Sequence, residues 1–265
     1  MSDLIFDTTG VPPSLVALFG AVLGAIVGSF LGVIVTRWPQ GEGVVSGRSH
    51  CDDCKRRLAP LELIPILSWL ALRGRCRSCD RRIDPLLPFI EVGAAAIGAG
   101  TVLLAETPAQ LMWAAAGWLL LVLAILDARH FWLPDRLTVV LAVLGLAYGS
   151  LSGAPILALT GAAVGWASLT LVGFLYERVR GRVGLGGGDP KLFGAIGAWI
   201  GPGALPIILL AASLVGLLSA GMSILRRTRV SSTTHLPFGT FLAVAAIGWS
   251  IVSLSNDAWR FPYAY

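Results

Sequence analysis

Long apolar segments follow one another along almost the whole chain, separated by short polar stretches. Segments of this length are what an α-helix needs to cross the hydrocarbon core of a bilayer. The pattern predicts an all-α integral membrane protein with about eight transmembrane helices. Their predicted bounds are residues 15–36, 86–105, 109–126, 136–151, 155–176, 190–205, 207–225 and 236–254.

The composition supports this interpretation. Hydrophobic residues make up 55% of the chain and charged residues only 13%, whereas a soluble domain carries about 25% charged residues. The Gly201-Pro202-Gly203 break favours a tight turn between antiparallel helices. We find no convincing internal repeat.

The basic residues indicate which side of the membrane each loop occupies. Residues 37–82 contain ten of the twenty lysines and arginines, and the N-terminal tail contains none. The other basic residues, except Arg260, fall in loops that an eight-helix alternation places on the same side. Because positively charged loops stay in the cytoplasm, we expect both termini to be periplasmic. The net charge of +5 then faces anionic lipid, and no nucleic-acid partner is expected.

Four cysteines, the only ones in the chain, lie in this basic stretch as two CxxC pairs separated by 21 residues. Two such pairs are typical of a tetrathiolate metal site, for which zinc is the usual ion. Disulfides are the alternative, which a reducing cytoplasmic location disfavours. The predicted ligands are Cys51, Cys54, Cys76 and Cys79. A closed site of four cysteines is usually structural.

These observations divide the chain into three predicted segments. Residues 1–36 form a periplasmic tail and the first transmembrane helix. Residues 37–85 form a cytoplasmic zinc-binding insert. Residues 86–265 form the helical membrane domain.

Two aspartates occur where the bilayer should disfavour them. Asp127 ends an apolar run, and Asp189 follows a glycine triplet at the start of the sixth helix. Both are predicted at cytoplasmic helix ends, so they can meet across a bundle. Ionisable groups in such positions are candidate functional residues. Asp189 before Pro190 is also a common helix cap, whereas a carboxylate at a helix C-terminus opposes the macrodipole. For Asp127, the alternative to a functional role is a salt bridge to Arg129.

Three other polar residues have less specific interpretations. Asp135, after Pro134, is expected to cap the fourth helix. Lys191 is expected either to pair with Asp189 or to contact lipid. Glu91, inside the second helix, could bind the amino terminus of a substrate, serve a methyl-transfer site or make an interhelical hydrogen bond.

The sequence resembles the type IV prepilin peptidases along nearly its whole length. The matching motifs are, in chain order, GSFLGVI at 28–34, RWP at 37–39, RSHCDDC at 48–54, IPILSWL at 64–70, LRGRCRSC at 72–79, PFIE at 88–91, LPDRLT at 133–138, GGGDPKL at 186–192, GAWIG at 197–201 and LPFGTFLA at 236–243. Together these motifs identify a family far more specifically than the tetrapeptide GxGD at 186–189 does alone.

The resemblance implies an intramembrane aspartic protease of the inner membrane, with Asp127 and Asp189 as the catalytic pair. It implies cleavage of prepilins or type II pseudopilins after the glycine that ends a short leader. It also implies N-methylation of the new terminus with S-adenosylmethionine as methyl donor. The four cysteines match the family's cytoplasmic tetracysteine motif.

Three alternatives remain open from the residues. A protease-only member of the family would lack the methylation step. A small transporter would also carry buried carboxylates, although many transporters show inverted repeats. A membrane scaffold with a zinc module would need the cysteines but not the two aspartates. The residues do not identify the methyl-donor pocket, the individual substrates or the oligomeric state.

Overall fold

The computed structural model describes residues 11–44, 49–51, 53–225 and 236–255. Over these ranges the chain forms nine α-helices and no β-strand. Their bounds are α1 Pro13–Arg37, α2 Leu67–Ala71, α3 Leu86–Leu104, α4 Met112–His130, α5 Asp135–Leu151, α6 Pro155–Arg180, α7 Asp189–Ile200, α8 Leu205–Leu225 and α9 Phe238–Ser255. The predicted all-α fold is confirmed, and the short α2 is an additional helix within the insert.

Six of these helical segments are long and apolar enough to cross a membrane, among the residues described. They contain α1, α3, α4, α6, α8 and α9. The other two predicted helices are shorter: α5 has 17 residues and α7 has 12. At 1.5 Å per residue, α7 extends only about 18 Å, well short of the roughly 30 Å hydrocarbon core. The basic residues at 226–229, Arg48, Arg260 and the N-terminal tail lie outside the described part of the chain.

The chain divides into two compact units, Met1–Thr107 and Pro108–Tyr265. The first contains α1, the cysteine-bearing insert and α3. Helices α1 and α3 pack backbone to backbone through small residues. A Cβ on Gly24 would collide with the Ala94 carbonyl, and one on Gly98 would collide with the Gly20 carbonyl. Close approach of this kind is a common way for helices to associate in a bilayer.

In the second unit, α7 is the most enclosed helix. Every residue of α7 except Lys191 is buried. It packs against α5, α6 and α9, and Gly161 of α6 meets the backbone of Gly197. Its short length is therefore compatible with a helix that other helices surround.

An aromatic cluster fixes α7 to its neighbours. The Trp199 Nε1 donates a hydrogen bond of 2.8 Å to the Leu141 carbonyl of α5. Its ring stacks on Tyr148 at a centroid distance of 5.4 Å and packs on Trp113 of α4 at 4.9 Å. Because large aromatic side chains bury extensive surface, this cluster connects α4, α5 and α7 in one core.

Candidate functional site

Asp127 lies in the last turn of α4, and the residue is 6% exposed. The helix ends three residues later at His130, and the next residue, Phe131, adopts a left-handed conformation and donates its N–H to the Asp127 carbonyl. Asp127 Oδ2 accepts hydrogen bonds from the Thr240 backbone N–H, at 2.7 Å, and from its hydroxyl, at 3.1 Å. The carboxyl group is thus held by α9, the last helix of the chain.

Asp189 is the first residue of α7, and it is also 6% exposed. The alternative role as a helix cap does not hold, because Gly188 occupies the cap position and no side chain caps this helix. Instead, Asp189 Oδ2 accepts a hydrogen bond of 3.1 Å from the Gly186 backbone N–H. This hydrogen bond ties the carboxyl group to the glycine triplet that precedes α7.

The two carboxyl groups face the same place. A Cβ built on Gly239 would lie 3.1 Å from Asp127 Oδ2 and 3.1 Å from Asp189 Oδ1. Asp127 Oδ2 and Asp189 Oδ1 are therefore separated by at most twice 3.1 Å. The structure thus brings together two buried acids that are 62 positions apart in the sequence. Such a pair can share a proton and act on one water molecule.

The glycines that precede Asp189 leave room for neighbouring side chains. A Cβ on Gly186 would lie 3.0 Å from Asp189 Oδ2, and one on Gly188 would lie 2.8 Å from the Leu133 Cβ. Larger residues at these two positions would displace either the carboxyl group or the leucine beside it.

Asp135 and Lys191 differ from their predicted roles. Asp135 does not cap α5, whose cap position is Pro134 without a side-chain hydrogen bond. Its carboxylate instead pairs with Lys191, with Nζ at 2.7 and 2.9 Å from the two oxygens. Both side chains are about half exposed or more, at 49% for Lys191 and 66% for Asp135. This exposed ion pair connects the starts of α5 and α7. The buried acids Asp127 and Asp189 are not part of it.

The four cysteines form a compact cluster in the first unit. Their sulfur atoms all lie within 4.8 Å of one another, and no pair is joined as a disulfide. The Cys51 and Cys79 sulfurs are 3.8 Å apart. A tetrahedral zinc site with Zn–S bonds of about 2.3 Å has sulfurs about 3.8 Å apart. The thiolate donor set and its spacing therefore fit a metal ion.

The two CxxC turns have the same backbone conformation and form a short internal repeat, which was not predicted from the sequence. In the first, Cys51 N–H bonds the Arg56 carbonyl and Lys55 N–H bonds the Cys51 carbonyl. In the second turn, 25 residues later, the Cys76 N–H donates to the Arg81 carbonyl and the Asp80 N–H donates to the Cys76 carbonyl. Lys55 and Asp80 also share a positive φ, of 54° and 55°. The shared sequence signal is the pattern CxxCxRR.

Backbone amides prepare the second turn for a cation. The N–H groups of Cys79 and Ser78 point at the Cys76 sulfur and lower the pKa of that thiol to about 6. The Arg81 N–H has the same effect on Cys79, but burial and the neighbouring thiols outweigh it and raise the pKa of Cys79 to about 12. The backbone N–H groups thus favour the thiolate form of Cys76, which is the form in which cysteine binds a metal.

Glu91 of α3 makes a hydrogen bond within the first unit. Its Oε2 accepts the Ile66 backbone N–H at 2.6 Å. Ile66 has φ +63° and ψ −52°, and the Leu67 N–H bonds the Pro65 carbonyl across it. This is a γ-turn of the rare, strained type. Glu91 thus anchors the turn that precedes α2.

Sequence reasoning assigned no role to two residues of the LPFGTFLA motif, Gly239 and Thr240. Both lie in the first turn of α9 and contact the acids. The available signal was local: Pro237 followed by an apolar run predicts a helix start, whose free N–H groups attract carboxylates.

Two family models match the chain. The Bacterial Peptidase A24 N-terminal domain matches residues 22–105. The Type IV leader peptidase family matches residues 114–221, a range that includes both Asp127 and Asp189. No solved structure matches the chain.

Several curated relatives match almost end to end. The prepilin leader peptidase/N-methyltransferase of Aeromonas hydrophila is 36% identical, covering 89% of this chain and 88% of its own length. The protein of the same name from Neisseria gonorrhoeae is 33% identical, covering 98% and 96%. That of Pseudomonas aeruginosa is 34% identical, covering 92% of each. The chain therefore belongs to the type IV leader peptidase family.

Proposed function

We propose that this protein cleaves the leader peptides of type IV prepilins or type II pseudopilins after a glycine. It then N-methylates the new N-terminal residue with S-adenosylmethionine. The proposal is supported by the near full-length similarity to prepilin leader peptidase/N-methyltransferases. The observation that carries the cleavage step is the pair of buried carboxyl groups facing one place beside Gly239.

In the proposed mechanism, Asp127 and Asp189 share one proton, because two adjacent buried carboxylates resist simultaneous ionisation. The ionised acid removes a proton from water, and the oxygen of that water forms a bond to the scissile carbonyl carbon. The protonated acid donates a hydrogen bond to the carbonyl oxygen and stabilises its developing charge. Proton transfer to the leaving nitrogen accompanies cleavage of the C–N bond and restores the shared proton.

The cysteine cluster fits a structural zinc ion held by Cys51, Cys54, Cys76 and Cys79. Four thiolate ligands complete a tetrahedron and leave no open position for substrate. When bound, the ion would join the two CxxC turns and stabilise the insert that contains them.

Charge and apolar exposure support an orientation in the cytoplasmic membrane. We propose that the insert and the Asp127–Asp189 pair face the cytoplasm, because the basic residues concentrate in segment 37–82. Large apolar side chains on the spanning helices remain exposed, such as Phe19 at 68% on α1 and Leu217 at 70% on α8. Lipid is the solvent that such surfaces require.

Mass spectrometry of a prepilin incubated with membranes containing this protein tests both activities at once. With S-adenosylmethionine present, we expect a product cut after the leader glycine and heavier by one methyl group. Cleavage without methylation would identify a protease-only enzyme. An intact prepilin would contradict the proposal and favour a transporter or a scaffold.

A further inference from the structure

We propose that the first turn of α9 is a third component of the catalytic centre. Thr240 positions Asp127, and Gly239 keeps open the space that the two carboxyl groups face. This inference depends on the proposed cleavage activity and assigns a function to two residues outside the acid pair.

The hydrogen bonds to Asp127 come from a residue 113 positions away in the sequence. Thr240 contributes two groups to the same oxygen, Oδ2: its N–H at 2.7 Å and its hydroxyl at 3.1 Å. The hydroxyl also lies 2.9 Å from the Ala124 carbonyl of α4. Thr240 therefore connects to α4 at two points one helical turn apart, which sets both the position and the rotation of the Asp127 carboxyl group.

The position of Thr240 at a helix start explains why its N–H is available. The first N–H groups of an α-helix have no partner within the helix, and Thr240 is the third residue of α9. The preceding amide, that of Gly239, interacts with the Asp189 carboxyl group. Two successive amides of one helix end thus serve the two acids, and the positive end of the helix dipole stabilises their shared negative charge.

The Thr240 hydroxyl has one proton for two neighbouring acceptors. If it donates to the Ala124 carbonyl, which can only accept, its own oxygen is free to accept a hydrogen bond from Asp127. All three contacts are then satisfied when Asp127 carries the shared proton on Oδ2. Because the hydroxyl can donate to an ionised Asp127 or accept from a protonated one, Thr240 can hold the carboxyl group in one orientation in both protonation states.

Gly239 contributes by the absence of a side chain. The methyl group of an alanine at this position would lie 3.1 Å from an oxygen of each acid and 2.8 Å from the Leu133 Cδ1. The contacted Leu133 atom is the end of a side chain that can rotate away, but both acids are held by hydrogen bonds. A methyl group would therefore intrude between the carboxyl groups, where water and the scissile carbonyl must fit.

Purified full-length variants test the two residues with a prepilin cleavage assay. Thr240→Val keeps the side-chain shape but removes the hydroxyl, and Thr240→Ser keeps the hydroxyl. We expect valine to lower kcat by about tenfold to a hundredfold, as loss of a hydrogen bond to an ionisable group predicts, with little change in KM. Serine should recover most of that loss. Thr240→Ala provides a second variant if valine lowers protein yield.

Gly239→Ala has a matched control on the same helix, Gly248→Ala, where an added Cβ meets no atom within 4 Å. We expect Gly239→Ala to lose cleavage by at least about a hundredfold and Gly248→Ala to retain it. Both variants should keep the wild-type thermal midpoint and metal content, which reports an intact fold.

Equal kcat for Thr240→Val and wild type, or equal loss in the serine and valine variants, would overturn the role of Thr240. Equal activity of Gly239→Ala and Gly248→Ala would overturn the role of Gly239. A wild-type protein that leaves the prepilin intact would instead contradict the proposed function, so the two failures are distinguishable.

Discussion

Asp127 at the end of α4 and Asp189 at the start of α7 each place a carboxyl oxygen 3.1 Å from the same point beside Gly239. The two acids reach that point from helix ends of opposite kind. Asp127 comes from a C-terminal turn and Asp189 from an N-terminal one. The pair therefore combines two different electrostatic environments within one site.

Replacing either acid should abolish cleavage. We expect Asp127→Asn and Asp189→Asn each to lose activity, because an amide cannot exchange the proton that the mechanism shares. Asp135→Asn is the matched control, since Asp135 lies in an exposed ion pair with Lys191. Its loss should cost at most about 1 kcal/mol of stability and leave cleavage intact. Substantial cleavage by either site variant would remove that residue from the proposed pair.

The shared proton should reside mainly on Asp127. The macrodipole of α7 favours a negative charge on Asp189, whereas that of α4 disfavours one on Asp127. When the Thr240 hydroxyl donates to the Ala124 carbonyl, its oxygen can accept a hydrogen bond from a protonated Asp127. Difference infrared spectra of isotope-labelled aspartates, assigned with the two asparagine variants, can locate the proton in the free enzyme near neutral pH. A neutral Asp189 beside an ionised Asp127 would contradict this assignment but not the pair itself.

The purified protein should contain about one zinc ion per chain, as a site of four cysteines predicts. Replacing Cys51 and Cys54 with serine should remove the metal and destabilise the insert, because two of its four ligands are lost. Elemental analysis measures the metal, and limited proteolysis measures the insert. A wild-type protein purified without chelators that contains no metal, or contains disulfides, would contradict the prediction.

Acid should weaken the insert independently of the catalytic pair. Glu62 accepts hydrogen bonds of 2.7 Å from both the Arg56 side chain and the Ala59 backbone N–H, and its side chain is only 6% exposed. The Arg56 hydrogen bond is the main reason that the pKa of Glu62 lies below its usual 4.5. A lowered folded-state pKa stabilises the protein above the unfolded value, and this stability is lost as the pH falls through the folded value.

Thermal unfolding of the insert between pH 6 and pH 3, followed by fluorescence, measures this contribution. We expect the wild type to lose more stability below about pH 4.5 than Glu62→Gln, which has no carboxylate to protonate. Metal release also contributes in acid, so the comparison is made with both proteins stripped of metal. If the thermal stability of the two proteins fell equally with pH, the Arg56–Glu62 ion pair would contribute nothing to the stability of the insert.

Local chemistry in the sequence determined the helices and the four-cysteine cluster. Apolar runs of membrane-spanning length predicted α1, α3, α4, α6, α8 and α9, because hydrocarbon thickness sets helix length. Two CxxC pairs predicted a four-sulfur cluster, because each pair forms its own turn. Asp127 was identifiable for a similar reason: an acid after eight apolar residues conflicts with both the bilayer and the helix dipole.

Only the tertiary structure decided which polar groups meet. Asp135, Asp189 and Lys191 all lie near helix starts, and local rules cannot choose their partners. Packing of α5 beside α7 joins Asp135 to Lys191. Packing of α9 beside α4 then carries Thr240 to Asp127, across 113 residues of sequence. Hydrogen bonds act over about 3 Å, so contacts between distant residues depend on how the helices pack, which no local pattern in the sequence specifies.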